Sequence, residues 1–503
     1  MVIVGGILFW AFLGAWLFLI RPAAPLHRSG VSPLTGGRKL ALALLAGGLI
    51  GLLGFVMTLC PIWNGEIPAH RNQYEKITEA FLEGRLDFGY EADPRLLEME
   101  NPYDAALREE LGVEACYDHA FYNGKYYMYF GVVPVFLAFM PYRLITGHAL
   151  VTWQATFLFT GIFILGLAIY LYWLAKRFFP KLSWGAYLSL LAVISLASTV
   201  YEAKYPAMYQ TPVACGRMLE IWSLYCFSRA FLRAPEEDFP LGLAALGSLL
   251  GALTFGCRPP LAMANLLVIP LLIRFFRGRK ISSRTILRLL LSFLPYALVA
   301  AGLMWYNAAR FGSPFEFGQS YQMTFLDQSA YGSLFSFRSL AKAVPGVFRG
   351  LFTALPLHSG FPFLQEGNGA FALCPLLLLS FAFLLPGPRR ALRKEGLFGL
   401  TDSVIPVVLL IVALQIVWSP WLLDRYQSDY VYLLGLGAFC GVGACFSGAR
   451  RGRLLSFLIC LASFGCILLT ALVFLIPYNA SYTEYDADAL MRIWRFISLK
   501  ALR

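Results

Sequence analysis

The chain has 503 residues, is 58% hydrophobic and only 14% charged, where soluble domains carry about a quarter charged residues. Apolar runs near the bilayer-crossing length recur along it, and the short alternating segments of a membrane β-barrel do not. Its net charge of +12 is distributed among the loops in a way that points to orientation in a membrane and not to a nucleic-acid partner. These features predict an all-α polytopic membrane protein. The first apolar run, Val2 to Ile20, lacks a basic start and a small-residue cleavage site, so it reads as a retained span and not a signal peptide. After Arg21, Arg28, Arg38 and Lys39 comes a second span, about Leu40 to Cys60.

The long polar stretch 61–148 follows. It holds fourteen of the twenty-nine carboxylates against seven basic residues. Tyr74, Ile77 and Phe81 stand at helical spacing, with Asn72 and Glu75 set as cap and capping-box partner, which predicts a surface helix. The segment "DPRLLEMENPYDAALREE" reads as an ordered, turn-rich connection. In "CYDHAFYNGKYYMYFGVVP" (Cys116 to Pro134), Asp118 and His119 precede a hairpin-like Asn123-Gly124 turn, and Lys125 and a run of aromatics follow it. Aromatics of this kind suit a headgroup zone or stacking on a sugar. Val132 to Gly147 is short and is interrupted by Pro134 and Pro141, so it reads as an interfacial or re-entrant helix.

Further spans are expected at about 149–174, 183–200, 209–228, 240–256, 260–275, 287–306, one within 346–386, 402–418, 430–446 and 454–477, for about twelve in all. The loops on one side then carry 22 basic residues against four acids, which makes that side cytoplasmic and turns the acidic stretch outward. The whole of 1–503 is one membrane domain, with extracytoplasmic loops 61–148 and 307–369 and an extracytoplasmic tail 478–503. Ten scattered cysteines without a CxxC pair give neither a disulfide framework nor a zinc site.

This sidedness gathers Lys204, Arg258, Arg310 and Arg425 beneath the acidic loop, as a collar able to bind an anionic phosphate. Lys125 is a further donor-phosphate candidate from the loop itself. Arg258, bounded by apolar spans, is the strongest of them; its structural alternative is an ion pair with Asp424. For the carboxylates, Asp118 leads as general base or acceptor-orienting acid, ahead of Glu66 and Asp104. Asp118 otherwise caps the Asn123-Gly124 turn or pairs with Lys125. His119 is read more readily as a structural hydrogen-bonding residue; as a functional one it joins Tyr122, Tyr126 and Tyr127 in binding acceptor or sugar. Asp118-His119 leaves room for a divalent metal, without a spaced third ligand to specify it. Arg217 and Glu220, three apart in one span, read as an ion pair on one helix face.

Several stretches together resemble bacterial members of the GT-C superfamily of membrane glycosyltransferases. They are "QYEKITEAFLEGRLDFG", "YDHAFYNGKYYMYFGVVP", "LITG", "YPAMYQTPVACG", "GCRPPLAMANLLVIPLL", "ARFGSPFEFGQSYQ" and "DRYQSDYVYLLGLGAF", in the expected order over most of the chain. The resemblance implies a GT-C-like bundle and inverting transfer of a sugar from a polyprenyl-phosphate donor to an extracytoplasmic glycan, lipid or protein acceptor. It implies no certain cofactor. Many members carry an acid, often a pair, near the start of this loop. Here "GEIPAHRNQYE" has Asn72 and Gln73 there, so the acid role passes to Glu66 or Asp118. Alternatives are a lipid-linked polysaccharide polymerase or ligase, a lipid-linked-sugar transporter or flippase, and an accessory subunit. The absence of an internal repeat and the single polar loop speak against a transporter.

Overall fold

The computed structural model describes residues 10–11, 13–14, 16–18, 20–28, 30–58, 60, 71–234, 236–279, 281–328, 337–357, 365–419, 422–449 and 452–474. Glu66, most of the first predicted span and the tail 478–503 lie outside the described residues.

The described chain is a multi-pass helical bundle. Eight helices are long and apolar enough to cross a membrane: α1 (Gly36–Thr58), α5 (Thr152–Phe178), α6 (Trp184–Lys204), α9 (Pro259–Phe276), α10 (Ser283–Phe311), α13 (Phe398–Trp418), α14 (Val431–Gly448) and α15 (Gly452–Val473). Three other predicted spans fall on different elements. Helix α7 (Thr211–Phe231) is long enough but is almost wholly buried and carries Arg217 and Glu220. Helix α8 (Leu241–Phe255) has 15 residues. The stretch predicted within 346–386 divides into the end of a surface helix, α11 (Phe337–Phe352), and a tight 3-10 helix, Pro375–Leu384. A basic helix, α12 (Pro386–Glu395), then leads into α13.

Helix ends follow local chemistry. Ser183 caps α6 by accepting from the Ala186 N–H at 3.1 Å. Helix α10 ends at Gly312, whose φ of +71° is the left-handed closure that glycine makes without Cβ strain. Pro295 interrupts the α10 ladder, and the neighbouring Tyr296 N–H donates to Ser248 Oγ of α8 at 3.2 Å.

Between α1 and α5 the polar stretch forms a lobe at one end of the bundle. Helix α2 (Gln73–Leu82) buries Tyr74 and Ile77 completely, each contributing roughly 1.5–3 kcal/mol of apolar burial. Asn72 occupies the cap position but makes no side-chain cap bond, so the expected capping box does not close; its side chain engages the Glu75 carboxylate instead. Asp104 caps helix α3 (Ala105–Leu111), accepting from the Ala106 and Leu107 N–H groups at 3.0 and 3.2 Å. The hairpin forms as expected: β1 (Ala120–Tyr122) pairs antiparallel with β2 (Lys125–Tyr127), in a register that sets Phe121 opposite Tyr126. Asn123 and Gly124 turn it at φ +49° and +76°, the backbone of a type I′ turn.

A π-turn, Val135–Phe139, runs into helix α4 (Met140–Thr146). At twelve residues this element is too short to cross about 30 Å of hydrocarbon. It stacks Phe139 on Tyr74 and Phe136 on Phe81, while Leu144 and Ile145 stay exposed, as an interfacial helix requires. Gly131 fastens the lobe to the bundle. A Cβ there would stand 2.1 Å from the Cys257 carbonyl oxygen, so only glycine permits this approach.

Candidate functional site

Successive spans reverse direction, so the last turn of α6, the first of α7, the last of α8, the first of α9 and the last turns of α10 and α13 lie at one end of the bundle. The lobe covers that end, and between them is a cavity of about 1010 Å³. Asp118, Lys204, Arg258, Arg310 and Arg425 all contribute to its wall. Five of the predicted residues, one carboxylate and four cations, therefore border one space.

Asp118 is held at every polar atom. Its N–H donates to the Met323 carbonyl at 2.8 Å and its carbonyl accepts from Gln73 Nε2 at 2.7 Å. Oδ1 accepts from Gln322 Nε2 at 2.9 Å, and Oδ2 accepts from the Tyr209 hydroxyl. Neither alternative role, a cap on the Asn123-Gly124 turn or a pair with Lys125, is realised. The backbone of Asp118 has φ +59°, a left-handed conformation that Asp and Asn adopt more readily than other non-glycine residues. Burial pushes its carboxyl above the usual carboxylate range, against the Tyr209 and Gln322 bonds and the charge of Arg425. Each oxygen retains a lone pair for a further donor.

The cations differ in what they have already bonded. Arg258 donates from Nε to Asp429 Oδ2 at 2.7 Å, and its Cζ lies 4.9 Å from the centroid of the Tyr426 ring. Its partner is thus not Asp424. The short helix Asp424–Asp429 turns Asp429 inward, while Asp424 Oδ2 accepts from the Gly367 N–H at 2.8 Å. Burial, with Glu366 nearby, lifts Asp424 to about 6. Arg425 places its Cζ 4.6 Å from the Tyr209 ring centroid and 5.6 Å from that of Tyr426. Burial alone would raise the Tyr426 phenol; the charges of Arg425 and Arg258, with bonds from Ser419 and Arg425, outweigh it and lower the phenol below its ordinary value. Lys204 pairs with Glu366 at 3.0 Å. Arg310 is more a fastener than a collar member. It donates to the Met128 carbonyl and, at 2.8 Å, to Asn307 Oδ1, and lies 3.7 Å over Tyr306, tying the lobe to α10.

Other predicted site residues lie away from the cavity wall. Asp104 is spent on its helix cap. Lys125 is exposed and pairs with Asp87 at 3.2 Å. His119 is buried edge-on to Phe88, with centroids 4.7 Å apart, and its Nδ1 bonds the Tyr117 carbonyl at 2.8 Å, a structural placement. Tyr126 holds the Cys116 N–H, and Tyr122 and Tyr127 pack on Phe311. Tyr126 lies on one face of the hairpin and Tyr122 and Tyr127 on the other, and none of the three borders the cavity. The aromatics that do face the cavity include Tyr117, stacked on Phe325 at 5.8 Å, and the neighbours Tyr129 and Phe130.

The residues missed from the sequence are Tyr209, Gln322, Tyr426 and Asp429. All stand in stretches already singled out, but nothing local distinguishes them. Gln322 is delivered by the second loop, which bridges to Ala120 and so lies beside the hairpin. The Arg217–Glu220 pair is also corrected. Arg217 bonds Glu202 of α6 through both terminal nitrogens at 2.7 Å, a forked pairing with the neighbouring helix in place of the residue one turn along. Among the described residues no three His, Cys, Asp or Glu side chains converge as metal ligands.

No family model, curated protein or solved structure matches this chain.

Proposed function

We propose that this protein is a membrane glycosyltransferase of GT-C type, moving a sugar from a polyprenyl-phosphate donor to an extracytoplasmic acceptor with inversion. One observation carries the reading. Asp118, Tyr209, Arg425, Tyr426 and Arg258 form an unbroken chain of contacts, so a buried carboxylate and two guanidiniums share one cavity.

In this reading α7, α8 and the segment around Pro375–Leu384 complete the membrane-embedded part beside the eight long spans, with the run before Arg21 bringing the total to about twelve. The cavity end faces outward, because the basic loops lie at the other end. The donor enters from the bilayer with its phosphate toward Arg258 and Arg425. The acceptor hydroxyl is oriented by Asp118, which takes its proton as the acceptor oxygen bonds to the anomeric carbon. The bond from that carbon to the phosphate oxygen breaks, and the phosphate leaves with the electron pair. Its charge is stabilised by guanidiniums already in place, so no acid is needed to protonate it. Stacked Tyr117 and Phe325 offer a face for a sugar ring.

The test is transfer of labelled sugar from polyprenyl-phosphate donors by the purified protein in vesicles. Transfer that fails in Asp118→Asn and Arg258→Gln, with folding intact, supports the assignment. Full activity in both removes it.

A further inference from the structure

Resting on that reading of Arg258, we infer that Asp429 and Gln415 are positioning residues, whose task is to aim Arg258 at the phosphate. Asp429 is fully buried, while the Arg258 side chain keeps 22% of its surface exposed. The carboxylate takes only Nε of Arg258, at 2.7 Å, through Oδ2. The same oxygen accepts from Gln415 Nε2 at 2.5 Å, and Gln415 also donates to the Tyr426 carbonyl at 3.1 Å. Gln415 comes from the last turn of α13, Asp429 from just before α14 and Arg258 from just before α9. Three span ends therefore meet at one carboxylate oxygen.

This arrangement leaves the guanidinium a single way to act. Its Nε edge is occupied and one face is covered by Tyr426. The terminal Nη1 and Nη2 groups donate to no described residue and border the cavity. A tetrahedral anion meeting that end accepts two parallel bonds in the guanidinium plane. Asp429 thus fixes the direction of the fork, at the cost of placing a negative charge behind the ligand.

The cost makes the sign of the mutant effect decisive. Were Asp429 only a countercharge, Asp429→Asn would strengthen anion binding, since a nearby negative charge is removed. As a positioning residue its loss weakens binding in spite of the gained positive charge. The probe is polyprenyl monophosphate, bound to the full-length protein in lipid nanodiscs, with thermal unfolding followed in parallel. Arg258→Gln is expected to weaken binding by on the order of tenfold, and Asp429→Asn by a smaller factor in the same direction. Gln415→Leu, which changes no charge, is also expected to weaken it, and to have no effect in an Arg258→Gln background.

Unchanged or tighter binding in Asp429→Asn overturns the inference. Should that variant not fold, Gln415→Leu decides: wild-type affinity, or an equal loss with and without Arg258, overturns it. If Arg258→Gln binds as well as wild type, or the wild type does not bind the probe, the reading of the phosphate site itself fails. If only Arg258→Gln is impaired, that reading stands and the positioning role falls.

Discussion

Two arginines that each hold a buried carboxylate sit close together in this molecule, with the same 2.7 Å contact and different fates. Arg217 gives both terminal nitrogens to Glu202, adds the Ser198 carbonyl, and lies 4.4 Å over the Phe163 ring, at 0% exposure. Arg258 gives Asp429 only Nε and keeps its terminal edge on the cavity. A guanidinium with its terminal donors spent joins helices; one with them spare is poised to bind. The two differ in the donors consumed as well as in exposure, 0% against 22%, where an ion-pair inventory would treat them alike.

The largest effect is expected from the sealed pair. Arg217→Ala leaves Glu202 uncompensated inside the bundle, which costs about 3–5 kcal/mol. Unfolding in detergent should register a corresponding loss of thermal stability. A melting temperature equal to wild type would dissolve the contrast drawn above. The open pair should behave in the opposite way. Arg258→Gln keeps a donor for Asp429 and so should alter melting little, while sugar transfer falls by roughly 10²–10³-fold, as when a preorganised donor to a developing oxyanion is removed. Parallel loss of stability and activity in this variant would mean that Arg258, too, is architectural.

Asp118 extends the comparison into the lobe. Asp118→Asn should reduce transfer by roughly 10²–10⁴-fold, the span of general acid–base contributions. The pH profile gives a subtler readout. Because burial raises the Asp118 carboxyl, transfer should increase with pH along a limb lying above the ordinary carboxylate range. Tyr209→Phe removes a hydrogen bond that favours the ionised form, so the limb should move to higher pH. An unmoved limb, or a shift toward acid, would assign the limb to another group.

What could be read from the sequence follows from the range of the forces involved. Apolar runs and their charged boundaries are local, so α1, α5, α6, α9, α10, α13, α14 and α15 were recognisable, as were the short periodic helix at Tyr74, Ile77 and Phe81 and the Asn123-Gly124 turn. Arg258 and Arg425 were legible as cations because charge beside apolar spans is costly without a partner. The partners were not legible. Asp429 lies 171 positions from Arg258 and Gln322 lies 204 from Asp118, and chain spacing carries no information about such pairs. The expected Arg217–Glu220 pair shows the converse error, in which helical spacing proposed a neighbour but a fork-shaped donor chose a carboxylate on another helix. The placement of the loop aromatics was not legible either: Tyr126 and Tyr127 alternate across a hairpin that is covered on both faces, and neither borders the cavity.

Lys125 supplies the smallest expected effect and the sharpest control. It belongs to the hairpin that follows Asp118 and was a candidate for the donor phosphate, yet its ammonium pairs with Asp87 on the exposed side of the lobe. A solvated pair of this kind contributes little, since water screens both charges and side-chain freedom is lost in holding them together. Lys125→Ala should therefore leave both melting and transfer within about twofold of wild type. Raising the salt concentration should reduce transfer similarly in the variant and the wild type, since any long-range attraction of an anionic donor resides in the collar. A selective loss of transfer in Lys125→Ala would place the donor phosphate over the hairpin instead of the cavity, and the distinction between occupied and spare guanidinium edges would then no longer locate the site.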